Sequence, residues 1–273
     1  MALIRRRTPK DPEGRMALAD HLRELRNRLV ISLLAIVVGA ALGWAKWGEI
    51  FDTLVAPFAA VRQSKSGAVV QVNFGTMTDS FSIMITVGLF VGLIVASPVW
   101  LWQAWAFVLP GLTKREKRIS LGFFAAAVPL FLGGCWMAYL VLPRAVQTLL
   151  SFTPDSGSNI IYAPDYLSFV LKFILAFGLG FLMPLFLVGL NGLRILPGRV
   201  MLKGWRVAVF LCFLFTAIMT PTPDPWTMII MAIPMVALFF VAVGISLLVD
   251  RRRAKREGST EWAQLADDEA STI

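Results

Sequence analysis

The sequence predicts an all-α integral membrane protein: six transmembrane helices in a curved bundle, with both termini cytoplasmic. Three observations carry this. Of 273 residues, 57% are hydrophobic and 16% charged, and the mean hydropathy is +0.71, too apolar for a water-soluble domain. Six apolar runs without an acidic residue recur along the chain. Lys and Arg crowd alternate connections between those runs, the pattern that sets orientation in a bilayer.

The runs are Leu29 to Ala45, Phe81 to Phe107, Ile119 to Leu142, Leu167 to Leu190, Val207 to Met219 and Trp226 to Val249. A span needs about 20 apolar residues, so the fifth run must borrow flanking residues or sit in thinned bilayer. The N-terminal tail, the second and fourth connections and the C-terminal tail carry eight, four, four and five basic residues, against four on the opposite side. This places both ends in the cytoplasm. Ahead of the first run lie about 28 amphipathic residues, where a cleaved signal would bring its apolar core closer to the start. Residues 1–17 are read as a cytoplasmic tail, 18–249 as the membrane domain, and 250–273 as a disordered cytoplasmic tail, basic and then acidic. Pro98, Pro129, Pro184 and Pro234 lie within or beside spans and should kink them, which packed membrane helices tolerate.

The net charge of +9 follows from residues flanking apolar runs, so it implies a membrane surface and no nucleic acid. Cys135 and Cys212 fall inside apolar runs and read as small core residues, not as a disulfide. The chain has one histidine, His21, and no H-E-x-x-H, G-x-S-x-G or Walker lysine loop. These absences argue against an enzyme, a metal or a cofactor. An ion-coupled transporter would keep carboxylates at mid-membrane depth, which the runs lack; a small-solute or ion transporter is the alternative function. Lys172, inside the fourth run, reads as a side chain snorkelling to the interface.

Chemistry is left to the rim. Leu18, Leu22, Leu25 and Leu29 share one helical face of LADHLRELRNRLV, so a surface helix should run straight into the first span. On another flank Glu24 and Arg28 are four apart and can pair, by itself a routine solvated contact. Glu116 sits among the basic residues of LPGLTKREKR. Pro110 and Gly111 end the second span there, and Thr113 with Glu116 fits a capping box. The functional reading of Glu24 and Glu116 is a pair of carboxylates for a cationic guest, with guanidinium favoured because its planar fork binds a carboxylate through two parallel bonds. On the other side, Asp224 before Pro225 reads first as a helix cap.

Three segments resemble the TatC family, the multispanning receptor subunit of the twin-arginine protein translocase. They are HLRELRNR (His21 to Arg28), FVLPGLTKREKR (Phe107 to Arg118), and TPTPDPW with AIPM (Thr220 to Met235); YLSF (Tyr166 to Phe169) is a weaker fourth. The resemblance implies a receptor in the cytoplasmic membrane that docks twin-arginine signal peptides of folded cargo proteins. It implies partner subunits of the single-span TatA and TatB types in a multimeric complex, with transport driven by the proton-motive force. It places signal-peptide reading on Glu24 and Glu116, with Arg26 and Arg118 tuning those carboxylates, Pro110 and Gly111 in the supporting rim and Asp224 in the external loop. The chain departs from the family at Leu182, where a glutamate before the proline is frequent.

Overall fold

The computed structural model describes residues 18–64, 71–108, 114–152, 160–220 and 225–264. Apart from two three-residue strands, its regular structure is helical. The elements run α1 (Leu18–Ala45), α2 (Trp47–Ser64), β1 (Gln71–Asn73), α3 (Asp79–Val95), α4 (Ser97–Val108), α5 (Lys114–Ser151), β2 (Ile160–Tyr162), α6 (Ala163–Gly180), α7 (Met183–Gly192), α8 (Gly198–Lys203), α9 (Trp205–Met219) and α10 (Pro225–Gln264). Two compact units are formed, one from Met1–Gly48 with Met84–Val128 and the other from Glu49–Ile83 with Pro129–Ile273.

Among the described residues four helical segments are long and apolar enough to cross a membrane: Asp20–Ala45, Gly122–Ser151, Ala163–Gly192 and Pro225–Lys255. The second apolar run is not one straight helix. It is the pair α3 and α4, bent by 62°, and counts as a fifth span if taken as one. The bend lies at Pro98, which offers no N–H to the carbonyl of Ile94 and whose ring crowds it. Trp100 bridges the break: its indole Nε1 donates to the carbonyl of Leu93 at 2.8 Å. Pro184 lies just after a short break between α6 and α7, which the span Ala163–Gly192 passes without a comparable bend, whereas Pro129 and Pro234 lie inside uninterrupted helices. The fifth run is α9, only 15 residues long.

In the first unit α1 packs on α4, and small residues bring its distal half onto α3. A methyl group added at Gly39 would lie 2.9 Å from the Cα of Gly92, and one added at Gly92 would collide with the carbonyl of Ile36. Membrane helices associate this way because lipid supplies no hydrophobic drive, so close backbone contact must.

The second unit has a core of α5, α6 and α10 side chains, with Phe131, Phe177, Leu142, Leu167 and Met231 fully buried. Phe177 lies edge-on to Phe173 at 4.9 Å and to Phe215 of α9 at 5.8 Å. Cys135 and Cys212 are buried and free, as core residues should be. Between the second apolar run and its predecessor, the connection holds α2 and β1. β1 pairs in parallel with β2, Val72 opposite Ile161. Pro57 leaves the Thr53 carbonyl of α2 without its helical partner, and the Tyr139 hydroxyl donates to it at 3.2 Å. The buried Tyr166 hydroxyl, from the YLSF segment, donates to the next carbonyl, Leu54, at 3.0 Å. Asp79 closes the turn that leads into α3: Thr76 N–H and Gly75 N–H each donate to Asp79 Oδ2 at 2.8 Å.

Candidate functional site

α1 runs without interruption from Leu18 to Ala45, so its polar first half is carried rigidly by the apolar second half. Two leucines of the first half face outward, Leu22 56% exposed and Leu29 53%, while Leu25 is half-buried. The flank that meets α4 is the polar one. His21 stacks on Phe107 with ring centroids 4.5 Å apart, and Arg28 Nη1 donates to Gln103 Oε1 at 3.2 Å. In a lipid-embedded bundle apolar side chains need no shelter, so polar groups take the inward positions where they find partners.

Glu24 is fixed by this arrangement. Its Oε1 accepts from Arg28 Nε at 3.0 Å and from Arg28 Nη2 at 2.5 Å, the pairing expected of the four-residue spacing. The two side chains are 24% and 23% exposed. Gln103 holds the far edge of the guanidinium, so Arg28 is pinned from two helices. Oε2 of Glu24 accepts from no described residue. Among the described residues the result is an oriented carboxylate with one oxygen engaged and one available. Arg26 is exposed; among the described residues the arginine that touches Glu24 is Arg28. Asp20 meets Arg23 at 3.5 Å with both side chains largely exposed, a contact worth little in water.

The other residues singled out from the sequence lie beyond this view. Pro110, Gly111 and Asp224 fall outside the described residues, as do the side chains of Glu116 and Arg118 on the helical backbone of α5, which starts at Lys114. Among the described residues no three His, Cys, Asp or Glu side chains gather as a metal site.

A second acid and base cluster, in the other unit, was not singled out from the sequence. The helix of α10 continues past the last apolar run to Gln264, through the first part of the segment read as a disordered tail. Asp250 accepts from Asn191 Nδ2 at 3.0 Å through Oδ1 and from Gly198 N–H at 2.7 Å through Oδ2. Arg253 donates to the carbonyls of Asn191 at 3.0 Å and Gly192 at 2.9 Å. The acid thus caps the start of α8 and the base caps the end of α7, each matching the helix dipole it meets. Arg194, in the turn between them, has φ 62°. The available signal was Asp250 itself, an acid opening a row of arginines at the end of an apolar run. For the first cluster it was Gln103, the one amide in the second run.

Apolar spans, a broken helix at a proline and a polar rim on the first helix define a multi-pass membrane protein of the helical class. Known proteins narrow that class. Residues 20–234 match the family described as Sec-independent protein translocase protein (TatC). The Sec-independent protein translocase protein TatC of Xylanimonas cellulosilytica is 45% identical over 244 residues, 89% of this chain and 87% of its own. That of Rothia mucilaginosa is 37% identical over 263 residues, 96% of this chain and 88% of its own. The crystal structure of the twin arginine translocase receptor TatC superposes with a TM-score of 0.66 at 33% identity, covering 84% of this chain and 98% of that one. The chain belongs to the TatC family: it is a multi-pass membrane component of the Sec-independent protein translocase, and not an enzyme.

Proposed function

We propose that this chain is the receptor core of a twin-arginine translocase, lying in the cytoplasmic membrane with six spans and both termini inside. Folded cargo proteins dock through the consecutive arginines of their signal peptides. Glu24 and Glu116 receive those arginines at the cytoplasmic rim, and TatA-type and TatB-type subunits are then recruited for export driven by the proton-motive force. The basic residues of both tails and two loops support the orientation.

The observation that supports this reading most is the half-satisfied carboxylate of Glu24. Arg28 and Gln103 keep it oriented through Oε1, so an arriving guanidinium meets Oε2 without reordering a flexible side chain, which lowers the cost of binding. An arginine can bridge such an oxygen and a neighbouring acceptor with its planar fork, whereas a lysine presents one point charge. Glu116 is the proposed second acceptor, Arg26 and Arg118 tune the local potential, and Pro110 and Gly111 set the turn that presents Glu116. Asp224 on the opposite side is assigned to capping α10.

The test is photo-crosslinking of the reconstituted chain to a twin-arginine signal peptide and to its twin-lysine version. The twin-arginine peptide should label selectively, and Glu24→Ala or Glu116→Ala should remove the selectivity. Equal labelling of the two peptides by the unaltered chain would refute the receptor assignment.

A further inference from the structure

At the start of α6 a cavity of about 390 Å³ opens between that helix and the end of α9. Its polar lining is Asp165, Ser168 and Lys172; its apolar lining includes Phe169, Phe173 and Ile218. Lys172 is the one charge between Leu167 and Leu190, and it is exposed on that apolar face. Asp165 precedes it by seven residues, so the two lie almost in line on one side of the helix, about 10.5 Å apart along the axis. A helical side chain leans toward the helix N-terminus, which tilts Lys172 toward Asp165. Even so, neither Asp165 nor Lys172 has an ion-pair partner among the described residues. Anion, hydroxyl and cation therefore stand in sequence along one helix face. They border a wall on which the rings of Phe169 and Phe173 lie 5.8 Å apart.

We infer that this cavity is a binding site for a zwitterionic phospholipid whose headgroup carries a primary ammonium, such as phosphatidylethanolamine. The phosphodiester meets Lys172 Nζ, supplying the counter-charge that this lysine lacks among the described residues of its apolar span. The ammonium meets the Asp165 carboxylate, with the Ser168 hydroxyl accepting another of its N–H bonds. One acyl chain lies along Phe169, Phe173 and Ile218. The acid and the hydroxyl select among headgroups, because a quaternary choline has no N–H to donate and a glycerol headgroup has no cation for Asp165. Because this site lies in α6 and α9, it stands or falls independently of the reading of Glu24.

The experiment is native mass spectrometry of the full chain, delipidated and then given phosphatidylethanolamine, phosphatidylcholine and phosphatidylglycerol with identical acyl chains. The unaltered chain should retain the ethanolamine lipid about tenfold over the choline lipid, the ratio expected of one charge-assisted hydrogen-bonding contact. Asp165→Asn should bring those two lipids to equal retention, and Lys172→Met should lower retention of all three. Both positions are exposed, so the variants should keep the thermal midpoint of the unaltered chain. Equal retention of ethanolamine and choline lipids by the unaltered chain would overturn the proposal, as would selectivity that survives Asp165→Asn. Retention unaffected by Lys172→Met would reduce that lysine to a side chain snorkelling to the interface, and the site would be abandoned.

Discussion

Both oxygens of Asp250 accept from the protein, one from the Asn191 amide and one from the Gly198 N–H, whereas among the described residues Glu24 accepts through one oxygen only, from Arg28. Each carboxylate accepts two hydrogen bonds, but the partners differ. Asp250 reaches across 59 and 52 residues of sequence to join α10 to α7 and α8. Glu24 pairs with a residue four positions along its own helix. A carboxylate both of whose oxygens are engaged by distant backbone and amide donors closes a tertiary structure. A carboxylate oriented by a local arginine, with an oxygen to spare, is placed to receive something else. Similar chemistry, an acid beside arginines at the end of an apolar helix, thus serves folding in one unit and is proposed to serve recognition in the other.

Removing Asp250 should have the largest effect. Asp250→Ala leaves the Gly198 N–H and the Asn191 amide short of an acceptor, and two hydrogen bonds to a charged group are lost; the expected cost is about 3 kcal/mol of stability. Thermal unfolding of the purified chain should register it as a lowered midpoint, with limited proteolysis admitting cleavage near Gly192 to Gly198. Glu24→Ala should contrast with it. The pair is only about a quarter exposed but lies within one helix, so its loss should cost about 1 kcal/mol, and the midpoint should move much less than for Asp250→Ala while twin-arginine crosslinking falls about tenfold or more. If the two variants unfold alike, the distinction between a structural and a receptive carboxylate fails.

Much of this contrast could be read from sequence, and the unread part has a common cause. The Glu24 and Arg28 pair, the unbroken run of α1, the short α9 and the free buried cysteines depend on local spacing or composition, which a linear chain displays. The side of α1 that turns inward does not. In water the leucine face would be buried, but lipid removes that preference, and Leu22 and Leu29 point outward while His21 and Arg28 meet α4. Pro98 signalled a disturbance, yet the 62° bend depends on tertiary partners as well as on the missing N–H. The Asp250 cluster was hidden for a further reason: its donors are a backbone N–H and an amide more than fifty residues away, and nothing in the row DRRR names them. The pairing of β1 with β2 is equally non-local.

Smaller changes around Glu24 sharpen the comparison by leaving the acid in place and altering only how it is held. Arg28→Lys keeps the charge, but a single ammonium cannot donate to Glu24 in two directions from a planar fork and also reach Gln103. Glu24 should then sample more orientations, and signal-peptide affinity should fall by several-fold with the midpoint unchanged. Gln103→Leu is the mildest test. It removes one part-buried hydrogen bond of 3.2 Å from the back of Arg28 and substitutes an apolar side chain of similar length between α4 and α1, so stability should shift by about 0.5 kcal/mol. If orientation is what Gln103 supplies, the twin-arginine peptide should lose about twofold in affinity, a shift of about 0.4 kcal/mol, and the twin-lysine peptide, which does not depend on a fixed fork geometry, should lose nothing. An equal loss for both peptides would show that Gln103 contributes only to packing, and that the readiness of Glu24 comes from Arg28 alone.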